Sequence, residues 1–144
     1  MFREIKINKI YIILAMLFLY SCKDGSMQEG YYQDSIKATE LLSVAEKTLA
    51  ENNAEEALSI IDTIDAKYAQ QIGVRRNVMK LRPHIKEKII IKNIQYIDSL
   101  LVEYEIQNAS AEKIFKARVN KVKYEQQLQV ARNQIARMSG DTIL

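Results

Sequence analysis

The side chains that could carry acid–base or metal chemistry are few in this chain of 144 residues. His84 is the only histidine, so neither a zinc cluster of cysteines and histidines nor a serine–histidine–aspartate triad has support from its neighbours. Asp62 and Asp65 have the three-residue spacing of any two neighbours on a helix surface. Glu55 and Glu56 suit the first turn of a helix, where acids complement the helix dipole. With four glycines and no phosphate-binding loop motif, we predict a protein that is not an enzyme and holds no cofactor or metal.

The first 21 residues have the pattern of an export signal. Arg3, Lys6 and Lys9 give a positive start, and residues 10–19 form an uninterrupted apolar run. That run is shorter than the roughly 20 residues of a membrane-spanning helix, but it suits the hydrophobic region of a signal peptide. Removal of residues 1–21 would leave 18 basic and 17 acidic residues. The basic charge total therefore gives no reason to expect a nucleic-acid partner.

The only cysteine, Cys22, directly follows Leu19-Tyr20-Ser21. This order resembles a bacterial lipobox, although Tyr20 is bulkier than the usual residue there. The resemblance implies that the Cys22 sulfur receives a diacylglyceryl group, that the signal is cut before it, and that the new amine is acylated, as with palmitate. Two or more acyl chains anchor a protein stably. We expect a lipid-anchored protein of the bacterial cell envelope, in the outer membrane; an ordinary secretory signal or an uncleaved anchor is the alternative.

The segment after the cysteine changes character near Asp34. Residues 22–33 are polar and include two of the four glycines, so we predict a flexible tether. In residues 34–70 the apolar spacing is close to 3.6, which predicts two helices, the first capped by Asp34 or Ser35 and broken at residues 51–53. The predicted buried positions are Ile36, Leu41, Leu42, Val44, Ala45 and Leu49 in the first helix and Ala57, Leu58, Ile60, Ile61, Ile64 and Tyr68 in the second.

These two predicted helices resemble a single tetratricopeptide-type hairpin. Ala45 and Ala57 match the small residues at the closest approach of the helices, and Asn52 replaces the usual turn glycine. No second copy follows at the same spacing, and a lone repeat cannot bury its apolar face without a neighbour. We therefore expect the next helix along the chain to cover this hairpin.

The sequence of residues 71–139 predicts long helices in which apolar residues have the spacing of a coiled coil. Val74, Val78, Leu81 and Ile85 mark one face, and Pro83 is expected to kink or restart the helix. Apolar residues then alternate steps of three and four, at Ile90, Ile94, Ile97, Leu101 and Tyr104. The alternation recurs one residue out of phase at Ile114, Ala117, Lys121, Tyr124, Leu128, Ala131, Ile135 and Met138, where Lys121 is the single polar residue. The change of phase allows two structures: an antiparallel hairpin turning near residues 107–111, with Ser110 as a cap, or one continuous helix with a stutter.

Charge is segregated along the chain. Ten acids face two bases between Asp24 and Asp65, and eight bases face one acid between Lys67 and Lys92. One interpretation is that the acidic hairpin docks beside the basic helix. The other is that the basic segment offers a patch to an anionic lipid, a glycan or an acidic protein, through Arg75, Arg76, Lys80 and Arg82.

Together these patterns predict an all-α protein with a short helical hairpin followed by long coiled-coil helices. The lipobox, the alanine-containing hairpin and the heptads resemble the small helical and coiled-coil lipoproteins of Bacteroidota. The resemblance implies a membrane-anchored scaffold or adaptor, with a protein partner or self-association through the coiled-coil face, and it carries over no catalytic residue. The alternative is an accessory protein that binds an anionic glycan or lipid through the basic segment 75–92.

Overall fold

A computed structural model describes residues 25–140, with side-chain surroundings from residue 29 onward. This part of the chain forms four helices and no strand: α1 (Gly25–Ala50), α2 (Ala54–Lys67), α3 (Ile72–Ile106) and α4 (Ala111–Ser139). The predicted all-α fold is confirmed. The predicted signal peptide, Cys22 and the residues after Gly140 lie outside the described range. None of the four helices has the length and apolar content that a membrane-spanning helix requires.

Helix α1 begins earlier than the sequence analysis predicts. It starts at Gly25 and not at Asp34 or Ser35, so the prediction of a flexible tether is wrong for residues 25–33. Met27, Gln28 and Glu29 are good helix formers, and the cost of Gly30, about 1 kcal/mol relative to alanine, does not end a helix by itself. The chain divides into two compact units at Asp34, within α1, and the packing described below belongs to the unit that starts at Ser35.

One face of α1, one of α2 and the first part of α3 bury a common apolar cluster, here called the three-helix core. Its members recur at helical spacing: Ala38, Leu42, Ala45 and Leu49 from α1, Ala54, Ala57, Ile61 and Ile64 from α2, and Val74, Val78 and Ile85 from α3. Helix α3 thus covers the hairpin as expected. Ile36 and Val44 were predicted to be buried but are exposed, because they lie off the stripe that steps from Ala38 to Leu49 by four, three and four. The likeness to a tetratricopeptide repeat stays a prediction.

Two asparagines end helices in the left-handed region, at φ 65° for Asn52 and φ 50° for Asn108. After α1, the N–H of Asn53 donates to the carbonyl of Thr48 and that of Asn52 to Leu49, both at 3.1 Å. The end of α3 repeats this pattern around Asn108. Such paired bonds form a Schellman motif, in which asparagine is the usual substitute for glycine. Asn52 can therefore replace the turn glycine of the resembled repeat.

Helix α3 runs through Pro83 without a break, so the predicted restart is wrong. Proline removes one backbone bond, here to the carbonyl of Met79. The flanking residues are held from two sides, because Arg82 binds α2 and Glu87 binds Arg132 of α4 at 2.9 Å. These contacts and the burial of Pro83 itself offset the lost bond.

The chain reverses between α3 and α4, so the hairpin alternative is confirmed and the continuous helix is wrong. Asp98 pairs with Lys121 at 2.7 Å and Glu87 with Arg132 at 2.9 Å. Eleven residues separate the two contacts on each helix, and they run in opposite directions, which defines an antiparallel register. The α4 positions predicted to face inward are all buried or half-buried except Met138, near the helix end.

Candidate functional site

Arg82, one of the four residues predicted to form a basic patch, is bound to α2. Its guanidinium lies 2.7 Å from Asp62 Oδ1 and 2.7 Å from Asp65 Oδ2, and its side chain is 27% exposed. Burial disfavours the charge, but the hydrogen bonds to both aspartates outweigh it, so the pKa of Arg82 is raised above its ordinary value. Arg82 therefore joins α2 to α3. The two aspartates carry an ion pair and are not a free acid–base pair.

Three more bases of α3 bind the first two helices. Arg75 lies 4.0 Å from Asp65 and donates to the carbonyl of Ala69 at 3.3 Å. Lys88 donates to the carbonyl of Leu49 and to Asn52, at 3.2 and 3.0 Å, which places a cation at the C-terminus of α1, where the helix dipole favours it. Lys92 lies 2.6 Å from Glu55, and its hydrogen bond is the main cause of the lowered pKa of Glu55.

The basic segment is thus divided between two roles. Arg75 and Arg82 contact α2, as docking of the acidic hairpin on the basic helix requires. Arg76 and Lys80 are exposed, and within residues 29–140 no ion pair involves either of them. The four residues named from the sequence therefore do not act as one set of free cations.

A concavity lies where α2, α3 and α4 meet, and we call it the three-helix groove. Helices α2 and α4 each pack against α3 but not against each other, which leaves a gap of about 590 Å³. Its floor is apolar and its rim polar. The floor residues are Leu58, Ile89, Ile90, Val130 and Ala131, and the rim residues are Lys86, Lys123, Gln126, Gln127 and Gln134.

The charge of the groove has one sign. Lys86 and Lys123 are its two ionisable residues, on opposite helices, and no acidic side chain is among the residues that line it. Along α4 the lining extends from Lys123 to Gln134, about 17 Å at 1.5 Å per residue. Val130 is 58% exposed on this surface although it is apolar. The groove therefore offers an apolar strip, formed by Leu58, Ile89, Ile90, Val130 and Ala131, in a lining whose charged residues are two lysines.

Among the described residues we find no group of side chains arranged for catalysis. His84 is exposed on α3, one residue after Pro83. No group of three or more histidine, cysteine, aspartate or glutamate side chains among the described residues could hold a metal ion.

The groove could not be predicted from the sequence, because no single helix contains it. Leu58 was predicted to be a core residue, and Val130 lies outside the heptad face of α4, where it resembles any surface valine. One local sign is visible in retrospect: residues 126–131 carry no charge, in a helix that is otherwise rich in charge. That sign marks α4 only, and it does not reveal that α2 approaches from the other side.

Comparisons of this chain with models of protein families, with curated proteins and with solved structures find no match.

Proposed function

We propose that the protein is a lipid-anchored, non-catalytic helical adaptor of the bacterial cell envelope, and that it binds an amphipathic helix of a partner protein in the three-helix groove. One observation carries the proposal: an apolar strip, open to solvent, lies between three helices in a groove whose lining includes Lys86 and Lys123 and no acid. The heptad faces of α3 and α4 cover each other, so a partner must use a different surface.

The shape of the groove favours a helix over an acyl chain. Helix-in-groove recognition places an apolar stripe on an open strip and leaves the polar side of the ligand in water. An acyl chain in an open groove would keep much of its apolar surface hydrated, which forfeits the main gain of binding. A groove lining about 17 Å long accepts about three helical turns.

The charge of the rim specifies the ligand further. Because Lys86 and Lys123 line the groove with no acid among its lining residues, a helix with glutamate or aspartate beside its apolar stripe gains attraction from both lysines. A helix with basic flanks would be repelled. We therefore propose that the partner segment is acidic and amphipathic.

The anchor in this proposal is Cys22, which lies outside the described residues. The proposal rests on the lipobox-like order of residues 19–22 and on the apolar run before it, as in the Bacteroidota lipoproteins that the sequence resembles. Its test is intact-mass and fractionation analysis of the protein in its own cell envelope, beside Cys22→Ala. We expect loss of residues 1–21, a mass gain from acyl chains, and release of the variant from membranes. An unmodified Cys22 with the first 21 residues retained would contradict the anchor.

The groove is tested with a synthetic helical peptide of about three turns, with leucines on one face and glutamates beside them. Fluorescence anisotropy measures its binding to the full chain in detergent, and a peptide with lysines in place of the glutamates is the control. Val130→Asp, which puts a charge on the strip, should weaken binding at least tenfold. Val44→Asp, at an exposed valine of α1, is the matched control and should leave binding unchanged. Equal binding of both peptides, or no effect of Val130→Asp, would contradict the proposal.

A second candidate function is the binding of an anionic glycan or lipid by the basic segment 75–92. It is favoured by Arg76, Lys80 and Lys86, which are exposed on α3 and have no ion pair within residues 29–140. The variant Arg76→Glu with Lys80→Glu separates the two candidates. It should abolish binding of an anionic polysaccharide in this second candidate function, and it should leave peptide binding in the groove intact.

A further inference from the structure

The half of the α3–α4 hairpin nearest its turn, residues 93–123, exposes apolar side chains on the outer faces of both helices. We call it the distal hairpin. Val102 and Ile106 lie on α3, and Phe115, Val119 and Val122 lie on α4. Their exposure ranges from 36% for Val119 to 76% for Ile106. Single exposed apolar residues need no explanation, but these five within thirty-one residues, in addition to the exposed ring of Tyr96, do.

These side chains are aligned and are not scattered. Val102 and Ile106 are four residues apart, and Phe115, Val119 and Val122 step by four and three, so each set shares one face of its helix. The opposite faces are already occupied, because Ile97 and Ala117 are buried in the seam between α3 and α4. Each helix of the hairpin therefore has an apolar stripe that lies outside the seam.

The two helices of the distal hairpin carry opposite charge. Between residues 93 and 106, α3 has three acids, Asp98, Glu103 and Glu105, and no base. Between residues 111 and 123, α4 has one acid and five bases. Ion pairs within the hairpin neutralise part of this charge: Asp98 pairs with Lys121, and Glu112 pairs with Lys116. Glu103 and Glu105 remain on α3, and Lys113, Arg118 and Lys123 remain on α4.

We infer that the distal hairpin binds a second copy of this chain head to tail, the outer face of α4 in one copy against the outer face of α3 in the next. Each contact joins an apolar stripe to an apolar stripe and a basic helix to an acidic one. Pairing of α4 with α4 would set like charges together. This inference depends neither on the groove nor on the anchor at Cys22.

A second copy accounts for both faces, whereas an anionic membrane surface accounts for one. A membrane would attract the basic face of α4 and take up Phe115, Val119 and Val122. It would repel Glu103 and Glu105, which flank Val102 and Ile106 on α3, and so would leave the α3 stripe exposed. A head-to-tail contact uses two different surfaces of the molecule, so it continues into a row of copies unless the geometry closes a ring.

Complementing variants test the inference by sedimentation of the full chain in detergent. One variant lacks the α3 stripe (Val102→Ser with Ile106→Ser), and the other lacks the α4 stripe (Phe115→Ser with Val122→Ser). We expect the unaltered chain to form species larger than a dimer, each variant alone to be monomeric, and an equimolar mixture to stop at a one-to-one dimer. Val44→Ser is the matched exposed control and should associate like the unaltered chain. Circular dichroism should show unchanged helicity in all variants, since the altered side chains are exposed.

Charge exchange provides a second measurement. Glu103→Lys with Glu105→Lys, and separately Lys113→Glu with Arg118→Glu, should each prevent self-association, and mixing the two should restore it. Added salt should weaken the association, because exposed charges are screened beyond about 10 Å at 0.1 M. The inference is overturned if the unaltered chain stays monomeric at every concentration measured. It is also overturned, in favour of a membrane surface, if the α3 variants behave like the unaltered chain and only the α4 variants lose attachment to vesicles of anionic phospholipid.

Discussion

The three-helix core and the distal hairpin are built from the same helical material but bury it differently. The largest fully buried side chains, Ile61, Ile64, Ile85 and Val78, all belong to the three-helix core. In the distal hairpin, Ile97 and Ala117 are the buried apolar residues among those described, and large apolar residues lie outside. A third helix closes a core on the side that a two-helix seam leaves open. We infer that the first region supplies most of the stability and that the second is free to present surface.

The largest expected effect comes from truncating a fully buried isoleucine. Ile61→Ala should lower the free energy of unfolding by about 3 kcal/mol, because it removes buried methyl groups and leaves a cavity among three helices. Ile97→Ala should cost about half as much, since water and neighbouring side chains can fill a two-helix seam. Urea unfolding followed by circular dichroism measures both. Equal losses would break the distinction between the regions.

Arg82 should be the most important polar contact of the three-helix core. Arg82→Met removes both ion pairs to α2 and leaves Asp62 and Asp65 close together, so we expect a loss of about 1–2 kcal/mol after allowance for partial exposure. Lys116→Met, which removes the exposed pair with Glu112, is the matched change in the distal hairpin. It should lower the free energy of unfolding by only a few tenths of a kcal/mol. Thermal unfolding of the two variants compares them. A larger effect at Lys116 would contradict the assignment of Arg82 as the link between α2 and α3.

The two left-handed turns should respond alike, because both use the same motif in different surroundings. Asn52→Ala and Asn108→Ala should each cost about 1 kcal/mol, since a Cβ-bearing residue without a short polar side chain is strained at positive φ. Asn52→Gly and Asn108→Gly should be close to neutral. Hydrogen exchange can locate the change in each case. A loss at Asn108 that spreads into the three-helix core would show that the two regions open together.

The smallest expected effects are those of pH on stability. One ion pair loses its contribution in acid and another loses its contribution in alkali. The pKa of Glu55 is lowered by Lys92, so the contribution of this pair is present above the ordinary carboxyl pKa and is lost as pH falls through the lowered value. The pKa of Lys121 is raised, mainly by its hydrogen bond to Asp98, so that contribution is present below the ordinary lysine pKa and is lost as pH rises through the raised value.

Acid should therefore loosen the contact of α2 with α3, and alkali should loosen the hairpin. Nuclear magnetic resonance titration of the Glu55 carboxyl beside Lys92→Met, and of the Lys121 amine beside Asp98→Asn, measures both. Each substitution should return the pKa of its partner toward the ordinary value. A pKa of Glu55 that is unchanged in Lys92→Met would refute the assigned cause.

Prediction from the sequence succeeded where a single helix carries its own periodicity. The heptad positions of α4 face inward as predicted, and the slip at residues 107–111 marks the turn. Lys121, the polar residue in that pattern, is accommodated because its amine reaches Asp98 at 2.7 Å. Prediction failed at the start of α1, and at Pro83 the predicted restart, one of two alternatives, is wrong. In both places a local signal, glycine or proline, was outweighed by the helix that continues past it.

The sequence by itself determined the all-α class, the helix boundaries at the two asparagine turns, and the faces that α2, α3 and α4 bury, since these follow from local propensity and a 3.6-residue period. Tertiary structure alone decided which bases of α3 are paired, because Arg75 and Arg82 differ from Arg76 and Lys80 only in whether an aspartate of α2 lies within reach. It also created the three-helix groove. Leu58 and Val130 are 72 residues apart in the chain, and periodicity within one helix contains no information about such a distant neighbour.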